Sequence, residues 1–99
     1  MSKILFEVNY NIYPGKREGY LNAINELKSY IKEITQKDYF IYEDQKKKNN
    51  FSEIIFFESN DEFDNFEDAQ DDKIKEMMTN IINTFVMEKK VNYITKEAI

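Results

Sequence analysis

The feature that most constrains the fold is a run of four apolar residues, Ile54-Ile55-Phe56-Phe57, inside the most strand-like segment of the chain. Successive side chains of a β-strand point to opposite faces of the sheet, so this run places one isoleucine and one phenylalanine on each face. An antiparallel sheet with one face in water normally alternates apolar and polar residues. The sequence therefore predicts a sheet that is covered on both faces.

The periodicity of apolar residues predicts the order of the elements. Alternation with period two predicts a strand at Ile4–Ile12, and runs rich in aromatic and β-branched residues predict strands at Tyr39–Glu43, Phe51–Glu58 and Val91–Thr95. Three- and four-residue spacing predicts an amphipathic helix of about five turns from Arg17. Ser59 and Glu62 match a capping box before a short helix, and Asp71 begins a longer one. The order β-α-β-β-α-β predicts a ferredoxin-like α+β fold with a four-stranded antiparallel sheet.

Composition limits the functions that this chain can have. Its 99 residues, 41% hydrophobic and without an internal linker, suit a single domain over 1–99 with one modest core. The net charge of −5 argues against nucleic-acid binding, and Lys46-Lys47-Lys48 indicates a solvated turn at the tip of a hairpin. The sequence has no Cys and no His, which excludes thiol catalysis and imidazole ligation of a metal or haem.

The sequence lacks two further features, a long apolar stretch and a calcium-binding loop, and this affects the expected location and cofactors. No apolar stretch is long enough for a signal peptide or a membrane helix, so we expect a cytoplasmic protein without a membrane partner. The acidic residues between positions 61 and 72 favour a solvated helix surface over a metal site, because they lack the glycine-centred loop of calcium sites. We expect neither a metal nor a cofactor.

The predicted helices can cover only one face of the sheet. Leaving four large apolar side chains of the other face in water would forgo about 6–12 kcal/mol, against a typical domain stability of about 5–15 kcal/mol. A second copy of the chain, related by a two-fold axis, covers that face most simply. We therefore expect a homodimer through the sheet face. The alternative is a monomer in which tyrosine hydroxyls and nearby glutamates make this face tolerant of water.

These features resemble the dimeric α+β-barrel superfamily, and most closely its antibiotic biosynthesis monooxygenase type. The resemblance is carried by the first strand running into residues 13–21 and by the segment 51–66, where Glu58-Ser59 follows a strand and Glu62-Phe63 begins a helix. It covers nearly the whole chain in element order. It implies that two protomers pack their sheets into a barrel, and that each has a pocket between sheet and helices.

The resemblance also implies candidate site residues. Cofactor-free oxygenases of this family use a strand asparagine, a tryptophan on the third strand and nearby tyrosine or histidine groups. Asn9 matches the asparagine, although Asn11 has the same facing, and Phe57 stands near the tryptophan position. The haem-degrading branch needs a helix histidine, which this chain lacks. Haem degradation is therefore not expected.

We predict Asn9 and Tyr42 as catalytic residues, and Asn11, Tyr39 and Phe57 as substrate-binding residues. An amide can hydrogen-bond a phenolate or a developing oxyanion, and a tyrosine hydroxyl can orient or protonate an aromatic substrate. A polar strand face and ordinary aromatic packing are the alternative explanations for these side chains.

The predicted function is that of a small homodimeric, monooxygenase-like domain that binds a small aromatic or hydrophobic compound. Its activity would be cofactor-independent oxygenation. The alternative is a non-catalytic dimeric module that binds a ligand or partner, which the missing Trp and His favour. A third hypothesis is an isomerase of the same superfamily.

Overall fold

A computed structural model of the chain describes residues 3–68 and 71–99. Its strands are β1 (Ile4–Ile12), β2 (Phe40–Glu43), β3 (Asn50–Phe57) and β4 (Val86–Glu97). Its helices are α1 (Arg17–Thr35), α2 (Asn60–Asp68) and α3 (Asp72–Phe85), with a 3-10 turn at Pro14–Lys16. The strands pair antiparallel in the order β2-β3-β1-β4. This arrangement confirms the predicted ferredoxin-like α+β fold.

Local side-chain chemistry accounts for where the helices begin. The Asp71 carboxylate accepts hydrogen bonds from the backbone N–H groups of Lys73 and Ile74, at 2.7 and 3.2 Å, and caps α3. The Ser59 hydroxyl accepts from the backbone N–H of Glu62 at 3.2 Å, which is half of the predicted capping box. Both starts were therefore predictable from short-range sequence patterns.

The hairpin between β2 and β3 has its tip at the predicted turn, Lys46-Lys47-Lys48. The Asp44 carboxylate accepts from the backbone N–H groups of Lys46 and Lys47, at 2.8 and 3.0 Å. Asn49 has a left-handed backbone with φ of 67°, a conformation that asparagine tolerates. The lysines of this segment are exposed, as expected for a solvated turn.

The last strand is longer than the predicted Val91–Thr95. It begins at Val86, directly after α3, and its pairing with β1 shifts between Tyr10 and Ile12. Glu88 and Lys89 have φ values of 56° and 55°, so the extra residues form an irregularity in the strand. The residues from Val86 to Lys90 do not alternate between apolar and polar with period two. The sequence therefore did not predict that β4 begins at Val86.

The two faces of the sheet differ in what covers them. The inner face carries the buried side chains of Ile4, Val8, Tyr10 and Ile12 and packs against all three helices. We define the outer face by alternate residues on the four strands: Leu5, Glu7, Asn9, Asn11, Phe40, Tyr42, Asn50, Ser52, Ile54, Phe56, Asn92, Ile94 and Lys96. Phe56 is 45% exposed on this face, whereas the adjacent Phe57 on the inner face is 1% exposed. The register confirms that the run Ile54–Phe57 places one isoleucine and one phenylalanine on each face, whereas seven of the thirteen outer-face residues are polar.

The three helices range in length from the nine residues of α2 to the nineteen of α1. Within the described ranges, none of them is long and apolar enough to cross a lipid bilayer.

Candidate functional site

A cavity of about 560 Å³ lies between the inner face of the sheet and the helices. Aromatic and aliphatic side chains form most of its wall, among them Phe6, Ile55, Phe63, Phe66, Ile74 and Met78. Tyr39, Glu53, Glu67, Tyr93 and Thr95 bring polar atoms to the same wall. Small-molecule sites typically occupy roughly 300–1,000 Å³ and combine apolar walls with a few placed polar groups. The cavity has the size and the composition of such a site.

The most unusual group in this wall is the carboxylate of Glu53, which is only 4% exposed. Its Oε1 accepts a hydrogen bond from the Tyr39 hydroxyl at 2.5 Å, and its Oε2 accepts from the Tyr10 hydroxyl. The Tyr10 oxygen lies 2.7 Å from the Tyr20 hydroxyl. Since the single Tyr10 proton is directed to Glu53, Tyr20 is the donor in that last contact. Three tyrosines and one carboxylate thus form one buried network.

Burial controls the electrostatics of this network. Removal from water raises the pKa of the Glu53 carboxyl, and the hydrogen bonds from Tyr10 and Tyr39 only partly oppose that shift. Burial together with the adjacent carboxylate also raises the pKa of Tyr10 and of Tyr39. Both tyrosines therefore keep their protons at neutral pH, while Glu53 binds its proton more tightly than an exposed glutamate does.

The strand register explains why these groups meet. Glu53 pairs with Val8 on β1 and with Ile41 on β2, so its side chain points from the inner face at the centre of the sheet. Tyr10 lies two residues beyond Val8 on the same face, and Tyr20 reaches the group from α1. Neither Glu53 nor Tyr20 was among the site residues predicted from the sequence. One signal was available in the sequence: Glu53 is the carboxylate in an alternating series whose other members, Phe51, Ile55 and Phe57, are apolar.

The structure divides the predicted site residues between the two faces. Tyr39 lines the cavity and bonds to Glu53. Phe57 lies on the inner face with its ring centroid 5.2 Å from those of Phe63 and Phe66, which line the cavity. Asn9 and Asn11 share the outer face, on the side of the sheet opposite the cavity.

Tyr42, the second predicted catalytic residue, is also an outer-face residue and is 57% exposed. Its ring stacks on that of Phe40 with centroids 6.3 Å apart. The predicted catalytic pair is therefore close to the uncovered side of the sheet rather than to the cavity.

On the outer face, polar side chains bond to one another. The Asn9 amide nitrogen donates to Asn50 Oδ1 and to Ser52 Oγ, each at 2.9 Å. The Ser52 hydroxyl donates to the Glu7 carboxylate at 2.7 Å, and the Asn50 amide donates to Asn11 Oδ1 at 3.0 Å. We call these five residues the amide ladder. Its members satisfy much of their hydrogen bonding across the strands β1 and β3.

A separate ion pair ties the start of α1 to the β2–β3 hairpin. Arg17 donates to both carboxylate oxygens of Glu43, at 2.6 and 2.8 Å, and to Asn49 Oδ1 at 3.0 Å. Its guanidinium lies over the Phe51 ring, 5.4 Å from the centroid. The Arg17 hydrogen bonds lower the pKa of the Glu43 carboxyl from 4.5 to about 2. Glu43 and Glu53 therefore shift in opposite directions, because one is paired with a cation and the other is buried.

Sheet order and helix placement match a known fold of small α+β domains. Solved structures described as antibiotic biosynthesis monooxygenases have the same fold, and one of them superimposes with a TM-score of 0.75 and 16% identity over 100% of this chain and 99% of that chain. A conserved protein from Methanosarcina mazei Go1 gives a TM-score of 0.78 with 14% identity, covering 97% of this chain and 92% of its own.

A variant of SnoaB, a cofactor-independent oxygenase from Streptomyces nogalater, gives a TM-score of 0.72 with 9% identity, over 97% of this chain and 92% of that one. No protein-family model matches the chain, and no curated protein matches it in sequence. These likenesses confirm that the chain has the monooxygenase-like fold expected from its sequence. At such low identity they speak for the fold alone.

Proposed function

We propose that this protein binds a small aromatic or hydrophobic compound in the cavity between its sheet and helices. The observation that carries the proposal is an apolar cavity of about 560 Å³ with a buried, hydrogen-bonded carboxylate in its wall. Apolar walls favour a nonpolar ligand because its transfer from water is favourable. The rings of Phe6, Phe63 and Phe66 favour an aromatic one, since offset and edge contacts between rings add to that gain.

Paired substitutions on α3 test this site. Met78 lines the cavity, whereas Met77 lies in a surface groove between α1 and α3. Met78→Trp should fill the cavity and weaken binding of a probe such as 1-naphthol at least about tenfold, and Met77→Trp should leave it unchanged. Calorimetric titration measures both affinities. Equal affinities in the two variants, or no binding by the unsubstituted protein, would exclude the cavity as the site.

We propose that the activity of this protein is the cofactor-independent oxygenation of the bound compound. SnoaB, which shares the fold, is described as a cofactor-independent oxygenase. In such a reaction a methylene group flanked by aromatic rings loses a proton to a base, and the resulting carbanion passes an electron to O₂. One oxygen atom then becomes the ketone oxygen and the other leaves as water. The four electrons lost by the methylene carbon equal those gained by O₂, so no further reductant is needed.

An oxygen electrode tests the activity with anthrone and a dihydroxynaphthalene as substrates. We expect protein-dependent uptake of one O₂ per anthrone. Uptake at the rate of the protein-free control would leave the alternative, a non-catalytic module that binds a ligand. Turnover of a lactone under nitrogen would instead indicate the isomerase hypothesis.

The predicted catalytic roles of Asn9 and Tyr42 are tested in the same assay. Both side chains belong to the outer face, so they can act only on a substrate held on that side of the sheet. If the cavity is the site, Asn9→Ala retains uptake and Met78→Trp abolishes it. Loss of uptake in Asn9→Ala together with normal uptake in Met78→Trp would support Asn9 and Tyr42 as catalytic residues. The substrate would then bind on the outer face.

We further propose that the outer face pairs with a second copy of the chain. Phe56 is 45% exposed and Tyr42 57% exposed, and Leu5, Ile54 and Ile94 extend the same apolar surface. The two-fold pairing of such a surface buries large side chains that would otherwise remain in water. The family resemblance found in the sequence implies the same assembly.

Sedimentation equilibrium tests this assembly. Phe56→Asp should weaken association by at least about tenfold, because it replaces a buried ring with a charge. Ile34→Asp is the matched control: Ile34 is 49% exposed on α1, away from the sheet. A protein of single-chain mass throughout the micromolar range would exclude the dimer.

A further inference from the structure

We infer that Glu53 is the recognition group of the cavity and that the cavity selects aromatic compounds carrying a hydroxyl group. The inference rests on the proposed binding function and adds the chemical class of the ligand.

The Glu53 carboxylate has unused capacity to accept hydrogen bonds. An ionised carboxylate has roughly four positions that can accept a hydrogen bond. Tyr10 occupies one position on Oε2, and Tyr39 occupies one on Oε1. Glu53 also lines the cavity, so the remaining capacity is available to a molecule inside it. A buried carboxylate gains much more from an added donor than an exposed one, since water does not compete.

The direction of the tyrosine protons determines which hydrogen-bonding groups face a ligand. Tyr10 and Tyr39 both donate to Glu53, so their hydroxyl oxygens are left as acceptors. Tyr20 fills the acceptor position on Tyr10. Glu53 and Tyr39 therefore offer acceptors, and a ligand that bonds to these two residues must bring a donor. The hydroxyls of Tyr93 and Thr95, also in the wall, can donate to an acceptor elsewhere on the ligand. An ether or an unsubstituted hydrocarbon of the same size cannot supply it.

The negative charge of Glu53 also restricts the charge of the ligand. A second anion beside Glu53 would meet a like charge in a region of low dielectric constant, which is strongly unfavourable. Aromatic carboxylates are therefore disfavoured, and a neutral phenol or enol is the fitting class. The apolar remainder of the wall, including Phe6, Phe63 and Ile82, accommodates the ring system of such a compound.

The experiment compares 1-naphthol with 1-methoxynaphthalene, which is similar in size and lacks the donor. Calorimetric titration of the full chain should give an affinity for 1-naphthol at least about tenfold higher. Glu53→Gln should remove most of that preference while leaving the affinity for 1-methoxynaphthalene unchanged, because the shape is kept and the charge is lost. Glu58→Gln is the matched control, since Glu58 is an exposed residue directly after β3, and it should keep the full preference.

A second variant covers the case in which Glu53→Gln does not fold. Tyr39→Phe removes one donor from Glu53 but leaves the carboxylate, so it should retain or increase the preference for 1-naphthol. Loss of the preference in Tyr39→Phe would overturn the inference, because the tyrosine would then be the recognition group.

The outcomes separate the inference from the function on which it rests. Equal binding of the two compounds by the unsubstituted protein would overturn the recognition by Glu53 and leave the cavity as a purely apolar site. Binding of neither compound would overturn the proposed function itself.

Discussion

The two faces of β3 carry the same pair of apolar residue types and have different environments. Ile55 and Phe57 on the inner face are each 1% exposed, whereas Ile54 is half-buried and Phe56 is 45% exposed on the outer face. The difference lies in the helices, which all pack on one side. Burial in this domain is therefore decided by what lies above the sheet and not by residue type.

The polar groups of the two faces differ as well. Glu53 on the inner face is held by tyrosines at the wall of a cavity. On the outer face, Asn9 and the rest of the amide ladder bond to each other along a surface without a cover. The inner arrangement suits recognition of a small molecule, and the outer arrangement suits contact with a flat partner such as a second sheet.

The largest expected effect compares the two adjacent phenylalanines. Phe57→Ala should lower the free energy of unfolding by about 3–5 kcal/mol, because it leaves a cavity in a packed core. Phe56→Ala should cost about 1 kcal/mol or less within a single protomer. Urea unfolding at several protein concentrations measures both. In the dimer we propose, only the Phe56→Ala effect changes with concentration, and equal losses at every concentration would contradict the comparison of the faces.

A smaller effect is expected when the outer amide ladder is cut. Asn9→Ala removes the donor to Asn50 and Ser52 and should cost about 0.5–1.5 kcal/mol, since these groups are only partly buried or have other partners. Asn92→Ala, at the paired position on the exposed strand β4, is the control and should change stability by less than about 0.5 kcal/mol. Thermal unfolding distinguishes the two; a loss beyond about 3 kcal/mol would mean that the ladder belongs to a fully buried core.

The pH dependence of stability should separate the buried carboxyl from an exposed one. Because the folded pKa of Glu53 is raised, its contribution to stability is complete below the unfolded value of 4.5 and is lost as the pH rises through the folded pKa. As the pH rises from acidic to neutral, the unsubstituted protein should therefore lose free energy of unfolding relative to the Glu53→Gln variant. Denaturant unfolding at several pH values measures this difference, and a constant difference would contradict the raised pKa.

The smallest effect concerns Glu43, whose folded pKa is about 2. The sign is opposite: its contribution is present above the unfolded value of 4.5 and is lost as the pH falls toward 2. Arg17→Leu should return the pKa of Glu43 toward its ordinary value, since the paired cation is removed. Carboxyl-carbon NMR titration detects that change directly. A midpoint that stays near 2 would show that the backbone N–H of Asn49, and not Arg17, holds the carboxylate in its charged form.

Several parts of the fold followed from local patterns in the sequence. The alternation in β1, the capping residues Ser59 and Asp71 and the turn at Lys46-Lys47-Lys48 each depend on neighbours along the chain, so they were predictable. The start of β4 at Val86 was not, because the irregularity at Glu88-Lys89 interrupts the period-two pattern that indicates a strand. The predicted site contained Tyr39 but not Glu53, since only the register shows that Tyr10 and Tyr39 converge on that carboxylate.

A four-stranded ferredoxin-like sheet with apolar residues on both faces could be predicted from the amino-acid order, because strand periodicity and helix periodicity are local properties. The tertiary structure alone decided which face the helices cover, where a cavity remains and which polar side chain lines it. Those properties depend on contacts between residues 10, 39 and 53, which are distant in sequence and meet only when the strands pair.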